Sequence, residues 1–291
     1  MSRSHAAHLV KVFPAGENGG NRAPIVLDAQ GMSDEAMRGV ARAYGHESGF
    51  VLPPAAGSGA DFRMRYFVPQ HEMEMCGHAT VGALWLLRKT GRWTSTAAIV
   101  QTPLGPVRGH VRNAGSADEF VEITQPAGKL QAIEDAAHLA AIARVLRVAP
   151  GEIAPLPVYN AATSRIKTLI ALRSVAALDA LAPDFSAVEA LCEAIGSTGL
   201  YPFAVESREQ RIFHARQFPK SSGYPEDAAT GIAAAALLFG LASYGLVPVD
   251  GDNVTINQGR AMGAPSAIRL RVELDAAGKA IGCFLGGAVS D

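Results

Sequence analysis

Two side chains in this 291-residue chain stand where proton chemistry can be placed, Glu47 and Asp227, and a third, Cys76, carries a thiol beside a glycine turn. Glu47 lies in His46-Glu-Ser-Gly-Phe-Val-Leu52, at the mouth of an otherwise apolar stretch. A carboxyl group enclosed at such a place holds its proton towards neutral pH; a merely solvated glutamate at a strand end is the plain alternative. Cys76 and His78 belong to Met75-Cys-Gly-His-Ala-Thr-Val-Gly-Ala-Leu-Trp-Leu-Leu87, where a polar turn runs into an apolar helix. Gly77 permits the sharp turn, and the uncharged run from Ala79 to Leu87 predicts a helix buried on every side. Its enclosed N-terminus, with unpaired N–H groups and the positive end of the dipole, is a seat for a carboxylate or an oxyanion. Cys76 is either a reactive thiol or a small core residue. Asp227, in Pro225-Glu-Asp-Ala-Ala-Thr-Gly231, precedes a second apolar helix and reads either as its N-cap or as an acid of the site.

The elements that must position these groups occur twice. Phe62-Arg-Met-Arg65-Tyr-Phe67-Val-Pro69 leads to Ala79-Thr80, and Phe213-His-Ala-Arg216-Gln-Phe218-Pro219 leads to Ala229-Thr230. Each is followed by a small-residue apolar helix, Val81 to Leu87 and Ile232 to Leu241. A period of about 150 residues is too long for a solenoid, so two related domains are expected, each with a strand feeding a buried helix. Strands are predicted at His8 to Phe13, Ala23 to Leu27, Asp61 to Val68, Ala98 to Gln101, Val107 to Val111 and Phe120 to Thr124. Between the first two, Gly16-Glu-Asn-Gly-Gly-Asn21 is a turn able to approach a ligand, or simply a hairpin loop. Ser33, with Asp34 and Glu35 in the first turn and Gly45 as the stop, marks a surface helix with Met37, Val40 and Ala41 inward. Gln125-Pro-Ala-Gly-Lys129 has linker composition.

The second half opens on an amphipathic helix, about Glu134 to Leu146, before Pro150-Gly151. Strands follow at Leu156 to Tyr159, Ile166 to Leu172, Pro202 to Glu206 and Ile212 to Phe218, with helices near Val175 to Leu181 and Ser186 to Ile195. The tail from Asn253 reads as strands, with Gly286-Gly287 in the last.

Hydrophobic residues make up 48% and charged residues 18%, with a formal net charge of -1, which gives no footprint for nucleic acid or an anionic membrane. Three cysteines, Cys76, Cys192 and Cys283, form neither a disulfide framework nor a metal pattern and fit a reducing compartment. The first residues carry no apolar signal core, and the longest apolar run, Ile232 to Ala242, is too short to span a bilayer. A soluble cytoplasmic protein is expected.

The ordered stretches Gly20-Asn21-Arg-Ala-Pro-Ile-Val, Glu47-Ser-Gly-Phe-Val, Phe67-Val-Pro-Gln-His-Glu72 leading to Cys76-Gly-His-Ala-Thr80, and Glu226-Asp-Ala-Ala-Thr-Gly231 resemble the phenazine-biosynthesis PhzF-like family, within the diaminopimelate-epimerase-like fold. The resemblance covers nearly the whole chain. It implies an α+β protein of two similar domains, residues 1–125 and 126–279, each a curled, mostly antiparallel sheet or barrel around a central helix. The last strand, about 280–291, returns to the first domain, and the active site lies in the cleft between domains. It also implies homodimers and a cofactor-free, metal-free isomerase that transfers a proton through a glutamate on a small anionic metabolite. Glu47 matches that glutamate, His78 the family's active-site histidine and Asp227 its aspartate. Asn21, Gly77, Ala79, Thr230, Gly231 and Ile232 are the expected substrate-binding positions.

Three departures bear on the substrate: Ile232 stands where the phenazine enzymes carry an active-site serine, Ala264 where arginine often follows the glycine, and Glu74 where proline is frequent. They speak for a substrate other than the phenazine precursor. Rival readings are a two-thiol racemase on the same fold, since Met75-Cys76-Gly-His resembles the first cysteine motif of proline racemases, and a ligand-binding relative without chemistry. The racemase lacks its second thiol, because Thr230 stands there. A metal site from His71, Glu72 and His78 matches no zinc spacing.

Overall fold

The computed structural model describes residues 5–149 and 151–291; the first four residues of the N-terminal stretch and Pro150, which the sequence places after the amphipathic helix, lie outside the described residues. The chain forms two compact units. One takes in the N-terminal residues to Pro14, Gly20–Thr124 and Gly286–Asp291; the other comprises Ala15–Gly19 and Gln125–Leu285.

In the first unit β1 (Ala7–Val12) pairs antiparallel with β2 (Asn21–Val26), which crosses over through α1 (Asp34–Tyr44) to lie parallel to β3 (Ser48–Leu52). Then β4 (Phe62–Phe67) pairs antiparallel with β3 and, through its end, with the short β5 (Glu72–Met73). After α2 (Gly77–Lys89) the chain returns as β6 (Ala97–Thr102), parallel to β4, followed by antiparallel β7 (Gly105–Arg112) and β8 (Phe120–Pro126). Local chemistry sets α1 as expected: the Ser33 hydroxyl accepts from the Ala36 N–H at 3.2 Å, and Gly45 ends the helix at φ 67°. Met37 and Ala41 are buried against Val26, Phe50 and Phe67, while Val40 is only partly covered.

Ten of the thirteen residues of α2 are buried, because strands β1, β2 and β3 lie along it and Leu84 meets Gly109 of β7 from another side. The sheet curls round the helix. Contact is close enough at Gly82 that a Cβ would sit 2.9 Å from a Val10 methyl, so alanine there would force β1 away from the helix.

The second unit repeats the order of pairings. Its strand β9 (Lys129–Ala132) precedes α3 (Ala136–Leu146) and pairs antiparallel with β10 (Tyr159–Ala162), as β10 does with β11 (Ile166–Ala171). Helices α4 (Val175–Asp179) and α5 (Phe185–Ala194) carry the chain over to β12 (Gly199–Ser207), parallel to β11. Antiparallel β13 (Ile212–Ala215) and β14 (Phe218–Pro219) both pair with β12, α6 (Gly231–Ser243) follows, and β15 (Val254–Gln258) lies parallel to β13 and antiparallel to β16 (Ser266–Leu274). From β1 to β7 and again from β10 to β16, the short β5 and β14 aside, the pairings run antiparallel, parallel, antiparallel, parallel, antiparallel. Strand β17 (Ala280–Gly287) is followed by β18 (Val289–Ser290), which pairs with β1 through Lys11–Ser290 and Val12–Val289.

Four expectations are corrected. The predicted linker is mostly strand: Gln125 is buried in β8, Lys129 opens the unanticipated β9, and Gly128 packs under Phe239, whose ring leaves no room for a side chain. The strand expected at Leu156 to Tyr159 begins only at Tyr159, where pairing with β9 and β11 becomes available. Ile212 to Phe218 is interrupted at Arg216 and Gln217, where the Arg216 N–H turns to the Pro202 carbonyl and Gln217 bridges to Asp227. Finally, α2 starts at Gly77, ahead of the Ala-Thr pair and of the expected Val81, while α6 starts at Gly231, next to the expected Ile232. The residues that occupy the same structural place are therefore Cys76 and Thr230, both extended N-cap residues, and the Ala-Thr pairs fall on different sides of the helix start.

Candidate active site

In the first unit the end of α1 and the start of β3 bring Glu47 to the N-terminus of α2. Ser48 fixes that junction: its side chain is fully buried and its hydroxyl donates to the His46 carbonyl at 3.0 Å. The Cys76 thiol donates to Glu47 Oε2 at 3.3 Å, and His78 Nδ1 stands 3.5 Å from the sulfur and 3.7 Å from the same carboxylate oxygen. Cys76 and His78 are buried, and the Glu47 side chain keeps 27% of its exposure. Burial pushes the neighbouring His46 below its usual range, Arg22 adds to this and Glu47 opposes it, which leaves His46 neutral at neutral pH.

The helix entrance is held by a directed chain of hydroxyls. Thr80 donates to the Cys76 carbonyl at 2.8 Å, so the Tyr66 hydroxyl, 2.7 Å from Thr80 Oγ1, must be the donor in that contact. Burial raises the Tyr66 phenol far above its ordinary value and keeps it in the donating form. The first intrahelical bond runs from the Thr80 N–H to the Cys76 carbonyl at 3.0 Å, which leaves the amides of Gly77, His78 and Ala79 ahead of it without an intrahelical acceptor.

In the second unit Asp227 is not the N-cap of α6; Thr230 is, and its hydroxyl donates to Asp227 Oδ2 at 2.5 Å. Gln258, which the sequence did not single out, ties this entrance together. Its amide donates to the Asp227 carbonyl at 2.7 Å and to Thr230 Oγ1 at 3.2 Å, and its oxygen accepts from the Tyr201 hydroxyl at 2.9 Å. Gly231 lies so near Leu285 that a Cβ would come within 2.8 Å of it, and Ile232 beside it is half-buried. Asn21 opens β2 and is half-buried.

The arginines of the repeat hold the turns that lead to these helices. Arg65 makes a fork onto Glu72 at 2.7 and 2.6 Å and a bond to Asp34 at 2.9 Å. Arg216 makes a fork onto Glu226 at 2.8 Å in both arms and donates to the carbonyls of Leu178, Asp179 and Leu181. Each guanidinium also stands 5.0 Å from the ring two residues on, Phe67 or Phe218. Glu72 is thus committed to Arg65, and the groups that share the neighbourhood of His78 are Glu47 and Cys76 rather than His71 and Glu72.

Open depressions lie elsewhere. One of about 300 Å³ is lined by Leu27, Asp28, Leu52, Asp61 and Arg92 at the far end of β3, and another of about 240 Å³ by Gln131, His138 and Asn160. Neither holds a candidate group. The convergence of a carboxyl, a thiol and an imidazole marks the site better than the size of a hollow.

The model of the family described as "Phenazine biosynthesis-like protein", PhzC-PhzF, matches residues 10–288. The chain belongs to this family. Within it, an "Uncharacterized isomerase" of Deinococcus radiodurans is 34% identical over 271 residues, covering 91% of this chain and 86% of that protein. The "Trans-2,3-dihydro-3-hydroxyanthranilate isomerase" of Pseudomonas aeruginosa is 30% identical over 271 residues, covering 92% and 91%. The crystal structure of a PhzF-family protein of Bacillus anthracis superposes with a TM-score of 0.84 at 24% identity, over 97% of this chain and 95% of that one, and shares the fold. The PhzC-PhzF fold is the α+β, epimerase-like fold expected from the sequence. No helix among the described residues is long and apolar enough to cross a membrane.

Proposed function

We propose that this PhzC-PhzF protein is an isomerase or epimerase that moves a proton between carbons of a small carboxylate-bearing metabolite, with Glu47 as the general acid and base. The observation that carries this is the placement of Glu47, within 3.3 to 3.7 Å of Cys76 and His78, at the entrance of a buried helix. The isomerase names of relatives at 30% identity and above support the same reaction class.

In this reading the Glu47 carboxylate removes a proton from carbon and returns it at a second position, which needs no cofactor. Negative charge that develops on the substrate is met by the first-turn amides and the dipole of α2. His78 orients the substrate through a ring N–H. Asp227, Thr230, Gly231, Ile232 and Asn21 are the further positions this reading assigns to substrate binding. Ile232 puts a branched apolar group where the phenazine enzymes carry a hydroxyl, which favours a substrate less polar at that point and different from theirs.

The test is deuterium uptake from heavy water into a substrate found by thermal-shift screening of small carboxylates. Glu47→Gln should slow uptake by roughly 10²- to 10⁴-fold, the usual worth of a positioned acid or base. Equal uptake in both proteins removes Glu47 from the mechanism.

A thiol mechanism draws on one observation, the 3.3 Å contact of Cys76 with Glu47. Its partner thiol is wanting: the equivalent N-cap is Thr230, and Cys192 and Cys283 are buried in α5 and β17. Full turnover by Cys76→Ser would dispose of it.

A further inference from the structure

We infer that Glu47, Cys76 and His78 form a three-donor site for a thiophilic divalent cation of the zinc and cadmium class. Their ligand atoms all lie within 4.8 Å of one another, with separations of 3.3 Å (sulfur to carboxylate), 3.5 Å (sulfur to Nδ1) and 3.7 Å (Nδ1 to carboxylate). A tetrahedral zinc ion with its sulfur at about 2.3 Å and nitrogen and oxygen at about 2.0 to 2.1 Å places such donors roughly 3.3 to 3.6 Å apart, so the three already stand near the edges of one tetrahedral face. The donor set is mixed and soft, which selects zinc or cadmium over magnesium or calcium. Thiolate and carboxylate together cancel the charge of the ion and offset the unfavourable positive end of α2. On binding, the metal–sulfur bond replaces the S–H bond of Cys76 and the proton passes to water, one per ion bound.

Such an ion would also tie up Glu47 and stop the proton transfer proposed above; this consequence rests on that reading, whereas the binding does not. The experiment is a titration of the full chain with Cd²⁺, followed by the ultraviolet thiolate-to-metal absorption, with Zn²⁺ and Mg²⁺ as competitors and circular dichroism to confirm that each variant is folded. One equivalent of Cd²⁺ should develop the band in the wild type, Zn²⁺ should displace it and Mg²⁺ should not. Cys76→Ser should lose the band, and Glu47→Gln and His78→Asn should each weaken binding by more than about tenfold, since loss of even a supporting outer-shell group costs that much. No band at stoichiometric Cd²⁺, or the same band in folded Cys76→Ser, overturns the inference. Undiminished deuterium uptake by Glu47→Gln would sink the mechanism and leave the metal site standing; a missing band beside an inactive Glu47→Gln would do the reverse.

Discussion

At the scale of single residues, the entrance of α2 is governed by which partner of a hydrogen bond can be lost cheaply. Removing the Tyr66 hydroxyl leaves Thr80 still donating to the Cys76 carbonyl, so Tyr66→Phe should cost about 1 kcal/mol. Thr80→Val removes the middle of the chain and strands the fully buried Tyr66 hydroxyl, a loss nearer 2 to 3 kcal/mol. Urea midpoints of the two variants check the order, and an equal cost would mean that the hydroxyls do not act as a directed chain. The carbonyl they hold belongs to Cys76, so Thr80→Val should also loosen the contact between Cys76 and Glu47.

At the scale of elements, the turn before each buried helix is clamped by an arginine, and the two clamps differ in burial. The side chains of Arg216 and Glu226 each keep 9% exposure, whereas Arg65 keeps 17% and its partners Glu72 and Asp34 keep 33% and 57%. Arg216→Met leaves a carboxylate buried without its cation and three carbonyls around the end of α4 without their donor, and should cost about 3 to 5 kcal/mol. Arg65→Met exposes its carboxylates to water instead and should cost about 1 kcal/mol or less. Thermal unfolding measures both. The pair Arg216→Met with Glu226→Leu should recover much of the loss, because removing both charges also removes their desolvation. The repeated Phe, Arg and Phe were legible before any coordinates; that the arginines clamp the turns, and which glutamates they hold, was not, since Glu72 and Glu226 stand at different distances along turns of unequal length.

At the scale of the whole molecule, buried acids that stay protonated set the alkaline limit. Burial pushes Cys192 up to about 11 from an ordinary 9.0, and raises Cys283, Tyr66 and Tyr201 further still. Below pH 9 the thiol is protonated in both folded and unfolded chains and stability is intact. As pH rises from 9 towards 11 the unfolded chain ionises first, and stability falls. Urea midpoints across that range should decline in the wild type, and Cys192→Ala should flatten part of the decline; an unchanged slope would show that Cys192 titrates normally. What the sequence by itself determined is what local chemistry decides: the caps and stops of α1, the two helices with almost no charge, and the alternation of strands, all of which depend on residues a few positions apart. Tertiary structure alone decided that Glu47 meets Cys76 across 29 positions and that Gln258 reaches Asp227 across 31. Such meetings depend on strand register and on how the sheet curls round its helix, and no local propensity encodes either.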